Sequence, residues 1–308
     1  MNNVISTRVS IFRNIKDFKF ENKLTQDQKQ QIIKMLEPAL KGKMSYLNIN
    51  SADAKVIKPL NDNVVILQNT TDLFVGKEEN IAINLFKGEH ISVVCADEGF
   101  NKNTIEKPLA LINDIASKIS FAYSDEYGYL MSDLAKIGAG LRIETNIMLS
   151  AIKSINKIEQ VRQNVAKLNY SLNETKFPGV YTLSTTCNLG VGEKQICQDF
   201  ESTLTKLQEL ETESAKMLDV SNHDEILDKA FRSFALLKSA HMLNYDEVYN
   251  MLVNLRIGLN VGVVDLSLKT INKIQKLVTQ KTTDYISPIE MIELAKRVKE
   301  ILKGENNV

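Results

Sequence analysis

Tryptophan is absent from this 308-residue chain, cysteine and histidine occur three times each, and neither sign of charge is in excess. Each scarcity excludes something. Cys95, Cys187 and Cys197 are an odd number without CxxC spacing, which excludes a disulfide framework and fits a reducing cytoplasm. His90, His223 and His241 are scattered, so no paired metal-ligand spacing points to a zinc site. Lys plus Arg (38) equals Asp plus Glu (38), so no global field draws the chain to nucleic acid or a membrane surface. Any anion it binds has to be held by a local cluster. No apolar run approaches the roughly 18 to 20 residues that cross a bilayer, and the opening MNNVISTRVS has no apolar signal core. The expectation is a soluble cytoplasmic protein.

What is present falls into two regimes that meet near residue 220. In the first, VISTRVSIF, MSYLNIN, NVVILQ, DLFVG, NIAINLF and HISVVCA are rich in β-branched residues and bounded by Asn, Asp, Gly and Lys, the pattern of strands in a largely antiparallel sheet. Thr25 with Gln28, followed by Ile32, Ile33, Leu36 and Leu40, predicts a capped amphipathic helix. Further helices are predicted over 104–121 and from Glu144 into the 160s. VYTLSTTCNLG returns to strand, and Ile196, Phe200, Leu204, Leu207 and Leu210 mark a long helix. From Ser221 the pattern is nearly all helical. Asn244 with Glu247, and Ser287 with Pro288 and Glu290, read as helix starts, Gly258 and Gly262 as interruptions, and Gly304 as a stop. No repeat or low-complexity linker separates the regimes, so a bundle of about four helices (residues 221–308) is expected to pack directly on an α+β domain (residues 1–220).

Four stretches and the tail carry a resemblance. They are STRVSIFRN from Ser6, INLFKGEHISVV, YGYLMSDLAKIGAGLR from Tyr127, and VYTLSTTCNLGVGEKQI, followed by FRSFALLKSAHMLNYDEVYNMLVNLRIGLNVGVV. In order and spacing they resemble the ATP:guanido phosphotransferases, and the tail is similar to that of the bacterial protein arginine kinases. The resemblance implies an antiparallel sheet flanked by helices with a helical bundle after it. It also implies ATP with Mg as cosubstrate, arginines that clamp the phosphates, and two glutamates that hold and deprotonate a guanidinium.

That chemistry sets what the residues must supply. Charge on a transferring phosphoryl group has to be neutralised by cations, and a guanidinium, whose pKa is far above neutral, has to meet a base. By the resemblance Arg8 and Arg142 are retained as nucleotide-binding candidates, with His90 beside them, whereas Ser10, Ser92 and Asn173 stand at other arginine positions. In FKGEH the place of the catalytic glutamate reads Lys87, next to Gly88, which leaves Glu89; the pocket cysteine corresponds to Asp133, and Glu174 is the acid left in the shortened late loop. Glu89 and Asp133 are the remaining catalytic candidates. Structural roles compete at each position: ion pairs for the two arginines, backbone geometry for Gly138 and Gly140, a satisfied buried ring for His90, inert thiols for Cys187 and Cys197. In the last helix Leu294, Ala295 and Lys299 occupy the place of the family's phosphoarginine-sensing motif, and a solvated charged face accounts for Lys296, Arg297 and Lys299.

Two readings follow. One is a pseudokinase that keeps the fold as a binding or regulatory module, partnering itself as a dimer through the helical domain, an active arginine kinase, its activator or a Clp ATPase. The other is an active, divergent protein-arginine kinase in which Asp133 or Glu89 replaces the lost acids and Lys87 or Lys136 meets phosphate. Activity requires at least two carboxylates and several cations converging on one cleft.

Overall fold

A computed structural model describes residues 3–177, 179–279 and 286–303. The chain starts in β1 (Val4–Arg13), crosses α1 (Gln26–Leu40), and runs through β2 (Met44–Asn48), α2 (Ala54–Asp62), β3 (Asp72–Gly76), β4 (Ile81–Leu85) and β5 (Ile91–Glu98). Next come α3 (Lys102–Ala116), a small hairpin of β6 (Tyr123–Ser124) and β7 (Gly128–Tyr129), β8 (Leu141–Met148), α4 (Ser150–Ser154), α5 (Ile158–Ala166), β9 (Tyr170–Glu174) and β10 (Val180–Thr185). The remainder is helical: α6 (Glu193–Ser239), α7 (Tyr245–Val261), α8 (Leu268–Thr279) and α9 (Pro288–Leu302).

Eight strands form one antiparallel sheet in the order β2-β3-β4-β5-β1-β8-β10-β9. The first strand of the chain thus lies in its middle. Because side chains alternate across a strand, Val9 and Ile11 of β1, Ile143 and Leu141 of β8 and Val93 of β5 point to one face. There they meet Ile32, Leu36, Ile112, Ile115, Val161, Phe200 and Leu204 from α1, α3, α5 and α6 in the main core. The other face is covered at one side by a smaller cluster of Leu60, Val65, Leu73, Ala82 and Val94. At one end it is covered by the helical bundle, whose core takes in Met148 of β8 and Val180 of β10. Between the two, the middle strands keep an open polar surface. No helix of the described residues is long and apolar enough to cross a membrane.

Local signals held where they were local. Capping boxes at Thr25 with Gln28, Asn244 with Glu247, and Ser287 with Glu290 start α1, α7 and α9. Three expectations are corrected. NVVILQ is a turn after α2, not a strand: Val64 takes a positive φ of 58° and Val65 is pulled into the small core. The stretch from Glu144 is strand β8, with helix only from Ser150, because LRIETNIM alternates buried and open positions at period two. Gly258 does not interrupt α7; it lies inside the helix, where an added Cβ would stand 2.9 Å from the Ala230 Cβ and 2.8 Å from Val264, so it permits close helix packing. α2 and β9 were not anticipated. Gly304 lies outside the described residues. Near the regime change α6 is kinked at Asn222, whose dihedrals are not helical (φ −143°, ψ 33°), so two helical segments meet there. In the tail, Met251, Leu252, Leu255 and Val264 are buried in the bundle core, so the apolar character of MLVNLRIGLNVGVV is spent within the chain.

Candidate functional site

The open face is built by three neighbouring strands in fixed register. Ser6, Arg8 and Ser10 of β1 stand opposite Asn146, Glu144 and Arg142 of β8, and β10 places Thr182 and Ser184 opposite Asn146 and Glu144. These side chains bond mainly to one another. Thr182 Oγ1 donates to Asn146 Oδ1 at 2.7 Å, and Asn146 Nδ2 donates to Ser6 Oγ at 3.1 Å. Beside this ladder Arg8 Nε donates to Glu144 Oε2 at 2.9 Å, and Arg8 NH2 reaches the same oxygen. Arg142 NH2 lies 3.0 Å from Glu144 Oε1. The retained arginines are therefore brought together, but on a carboxylate of the chain itself.

The remaining candidates cluster at the β4–β5 turn, away from that fork. Glu89 is fully buried. Its carboxylate accepts from Asn14 Nδ2 (2.6 Å), the Ser132 hydroxyl (2.9 Å) and backbone N–H (3.1 Å), and the Asp133 N–H (3.4 Å). It clamps the loop after β7 onto the sheet. Asp133 is exposed, caps the turn 134–136 by accepting from the Ala135 N–H at 3.0 Å, and pairs with Lys136 at 3.4 Å. Lys136 Nζ also lies 4.6 Å from the Phe12 ring centroid, and Lys87 Nζ donates to the Asn69 carbonyl at 3.1 Å. Glu174 is held by Lys153 at 2.5 Å and by the Gly179 N–H at 3.0 Å.

His90 is buried and both its nitrogens are used. Nδ1 accepts from the Ile15 N–H at 3.0 Å, which leaves Nε2 to donate to the Lys19 carbonyl at 2.8 Å. Burial pulls its pKa below the ordinary value, and the ring is neutral. From His90 to Ala96, the β5 partner of Arg8, is six residues of strand or roughly 20 Å, so His90 does not join the arginine fork. Burial pushes the Cys197 thiol up to about 11, as an inert thiol requires, and the Cys95 thiol up to about 12, whereas Cys187 lies beyond the end of β10 and is exposed, against the expectation of a buried thiol there. In α9, Leu294 and Ala295 are buried in the bundle core, while Lys296 and Arg297 face solvent.

Two residues at this site escaped the sequence reading. The helix predicted from Glu144 hides its place, although the period-two pattern of LRIETNIM puts it on the face of Arg142. Arg13 is buried beneath the site. Its NH1 donates to the carbonyls of Phe12 (2.7 Å) and Ala139 (3.0 Å), and its NH2 pairs with Glu193 at the start of α6. It ties three segments together and belongs to the scaffold.

The comparisons agree with this architecture. Residues 21–214 match the family model described as ATP:guanido phosphotransferase, C-terminal catalytic domain, and residues 223–303 match the protein-arginine kinase McsB C-terminal domain. A protein-arginine kinase of Clostridium novyi is 26% identical over 98% of this chain and 95% of its own length. That of Bacillus licheniformis is 24% identical over 99% and 91%. Among solved structures, a lombricine kinase superposes with a TM-score of 0.61 at 18% identity, covering 68% of this chain and 66% of that one. A duplicated taurocyamine kinase from Schistosoma mansoni reaches 0.62 at 20% identity over 72% and 34%. The reaction named for the family uses ATP, whose phosphates need cations. The two candidates on the open face, Arg8 and Arg142, are both occupied by Glu144, so this face as it stands does not fit a polyphosphate. By its sheet, its bundle and the two family models that together span most of its length, the chain belongs to the ATP:guanido phosphotransferases and, within them, to the bacterial protein-arginine kinase family.

Proposed function

We propose that this chain is a non-catalytic member of its family, a pseudokinase that serves as a binding or regulatory module in an arginine-phosphorylation or protease quality-control pathway. The observation that carries the reading is the state of Glu89. It is the sole acid of the FKGEH turn, and its carboxylate is fully buried with its bonds taken by Asn14 at the end of β1 and by the Ser132–Asp133 loop. A base for a guanidinium has to reach it through an open cleft, within about 3 Å. At the same turn the groups nearer to solvent are Lys87, Lys136 and the Asp133 that Lys136 already neutralises. Two lysines beside a guanidinium repel it, and a single paired carboxylate does not both orient and deprotonate it.

The partner in this proposal is protein: an active arginine kinase, its activator, a Clp ATPase, or a second copy through the helical domain. A second copy would have to use residues other than the buried tail, such as Phe231, Leu236 and Met242, which are exposed. The test of the function is paired: calorimetry with ATP and magnesium, and arginine phosphorylation of an unfolded basic protein read as acid-labile phosphate. Neither signal is expected. Acid-labile transfer above that of a buffer control would make the protein an active kinase and end the proposal. Light scattering across a concentration series reads the dimer separately, and a monomer at every concentration removes that partner.

A further inference from the structure

We infer that the open sheet face is a latent oxyanion site whose occupant is the chain's own Glu144, and that removing the Glu144 charge opens it to phosphate-type anions. Three observations converge. First, each oxygen of this carboxylate is taken by a different arginine, Oε2 by Arg8 and Oε1 by Arg142. Arg8 grips one oxygen through both Nε and NH2 and Arg142 NH2 lies against the other, and guanidinium groups converging on one anion are also the means by which arginines hold a phosphate. Second, the pairing is imposed by the backbone. Arg8 and Glu144 are direct partners across β1 and β8, and Arg142 lies two residues from Glu144 on the same face, so the three side chains meet without any loop having to close. The carboxylate is the innermost of the three, its side chain 14% exposed against 34% for Arg8 and 50% for Arg142. An incoming anion therefore reaches the arginines first but finds their inner faces already filled. Third, the surrounding groups suit an anion. Ser6, Asn146 and Thr182 are half-buried polar groups of this same face, and Glu98, the strand partner of Ser6, is paired with Lys276. With Glu144 neutral, neither arginine keeps an ion-pair partner among the described residues.

This goes beyond the proposed lack of catalysis, since it concerns binding alone and holds whether or not a guanidinium could be deprotonated elsewhere. The ligand class is a compact oxyanion, and the probes that separate its sources are inorganic tripolyphosphate and ATP with magnesium. Binding of both means that the phosphates are read, and binding of ATP alone would mean that the base is.

The experiment is calorimetry on the intact chain, comparing the natural protein with Glu144→Gln, Glu144→Ser, and Glu144→Gln combined with Arg8→Met. The natural chain is expected to give no saturable heat with tripolyphosphate. Either single variant should bind it at least about tenfold more tightly, the worth of a charged hydrogen bond or two, and the gain should weaken with added salt and vanish in the double variant. Natural-chain affinity equal to that of the variants, or a gain that survives Arg8→Met, overturns the inference. A measurement on the natural chain alone guards against variants that fail to fold: the Arg8 Nε resonance should stay in place as tripolyphosphate is added. Its movement at saturating anion would show that Glu144 yields, and the site would then not be latent. Arginine phosphorylation by the natural chain bears on the proposed function instead, because it reads transfer and not this contact.

Discussion

The guanidinium of Arg13 lies over the ring of Tyr129, 3.5 Å from its centroid. Tyr129 belongs to β7, Arg13 ends β1, and the same guanidinium reaches the Ala139 carbonyl and Glu193, so one buried cation joins the central strand, the hairpin, the glycine loop and the start of α6. Burial lowers its pKa from the ordinary arginine value, and the Glu193 carboxylate pulls it back. A planar fork that both stacks and donates is not replaced by an ammonium. Arg13→Lys is therefore expected to cost about 2–4 kcal/mol, as breaking a buried charged network does, measured as a shift in the urea midpoint at constant slope. A loss under about 1 kcal/mol would show that any cation suffices there.

Glu89 gives a second test of role. If its carboxylate is a loop clamp, Glu89→Gln should loosen the segment it holds, because the amide's single oxygen cannot serve Asn14, the Ser132 N–H and hydroxyl, and the Asp133 N–H together. The expected result is a loss of about 2 kcal/mol with faster hydrogen exchange at the Ser132 amide. Undiminished protection at Ser132 would remove the clamp from the account.

How far the sequence could be read follows the range of each interaction. Thr25 and Gln28 cap α1 through bonds spanning three residues, so four letters suffice to announce them. NVVILQ has the composition of a strand, yet Val65 is wanted by a small core made with Leu73 and Val94, and burial overrode local preference. The site was legible as an inventory of residue types and not as a geometry. Arg8 and Arg142 could be chosen from motifs, but their contacts with Glu144 depend on the register between strands more than 130 positions apart in the chain. Glu89 illustrates the same limit: its letter is that of a catalytic acid, and only the packing of the 130s loop shows where its lone pairs go.

The glycine loop KIGAGLR separates backbone geometry from phosphate binding. Gly138 has a φ of 107°, and an added Cβ would stand 2.2 Å from the Asn188 carbonyl oxygen. That carbonyl accepts the Ala139 N–H, so the close approach is a product of strand-like pairing between two loops. Gly138→Ala is expected to destabilise by at least about 2–3 kcal/mol, combining a disfavoured φ with a backbone overlap. Thermal unfolding without any nucleotide reads the effect. A full-strength melt would mean that the loop can shift, and would reopen a ligand-binding reason for the glycine.

Stability should also carry opposite pH signatures from two buried groups. Glu211 of α6 accepts the Ala151 and Ile152 N–H groups at 2.8 and 3.0 Å, holding the start of α4, while burial pushes its pKa up to about 7. For an acid raised in the folded state, the folded chain holds more protons than the unfolded chain between about 4.5 and 7. Its contribution is full below that window and is lost as pH rises through it, on the order of 3 kcal/mol in all. His90 runs the other way: with its folded pKa depressed by burial, its contribution is present above the ordinary value of 6.5 and is lost as pH falls toward the folded value. Between these limits the slopes oppose one another. The natural chain should therefore show a shallow maximum in unfolding free energy on the acid side of neutrality. Glu211→Gln should remove the decline on the alkaline side, and His90→Phe the decline on the acid side, each at a constant cost from its lost hydrogen bonds. Denaturant titrations at half-unit pH intervals check both, and a Glu211→Gln profile parallel to that of the natural chain would mean that the α4 cap is ionised throughout and that the backbone N–H groups outweigh burial.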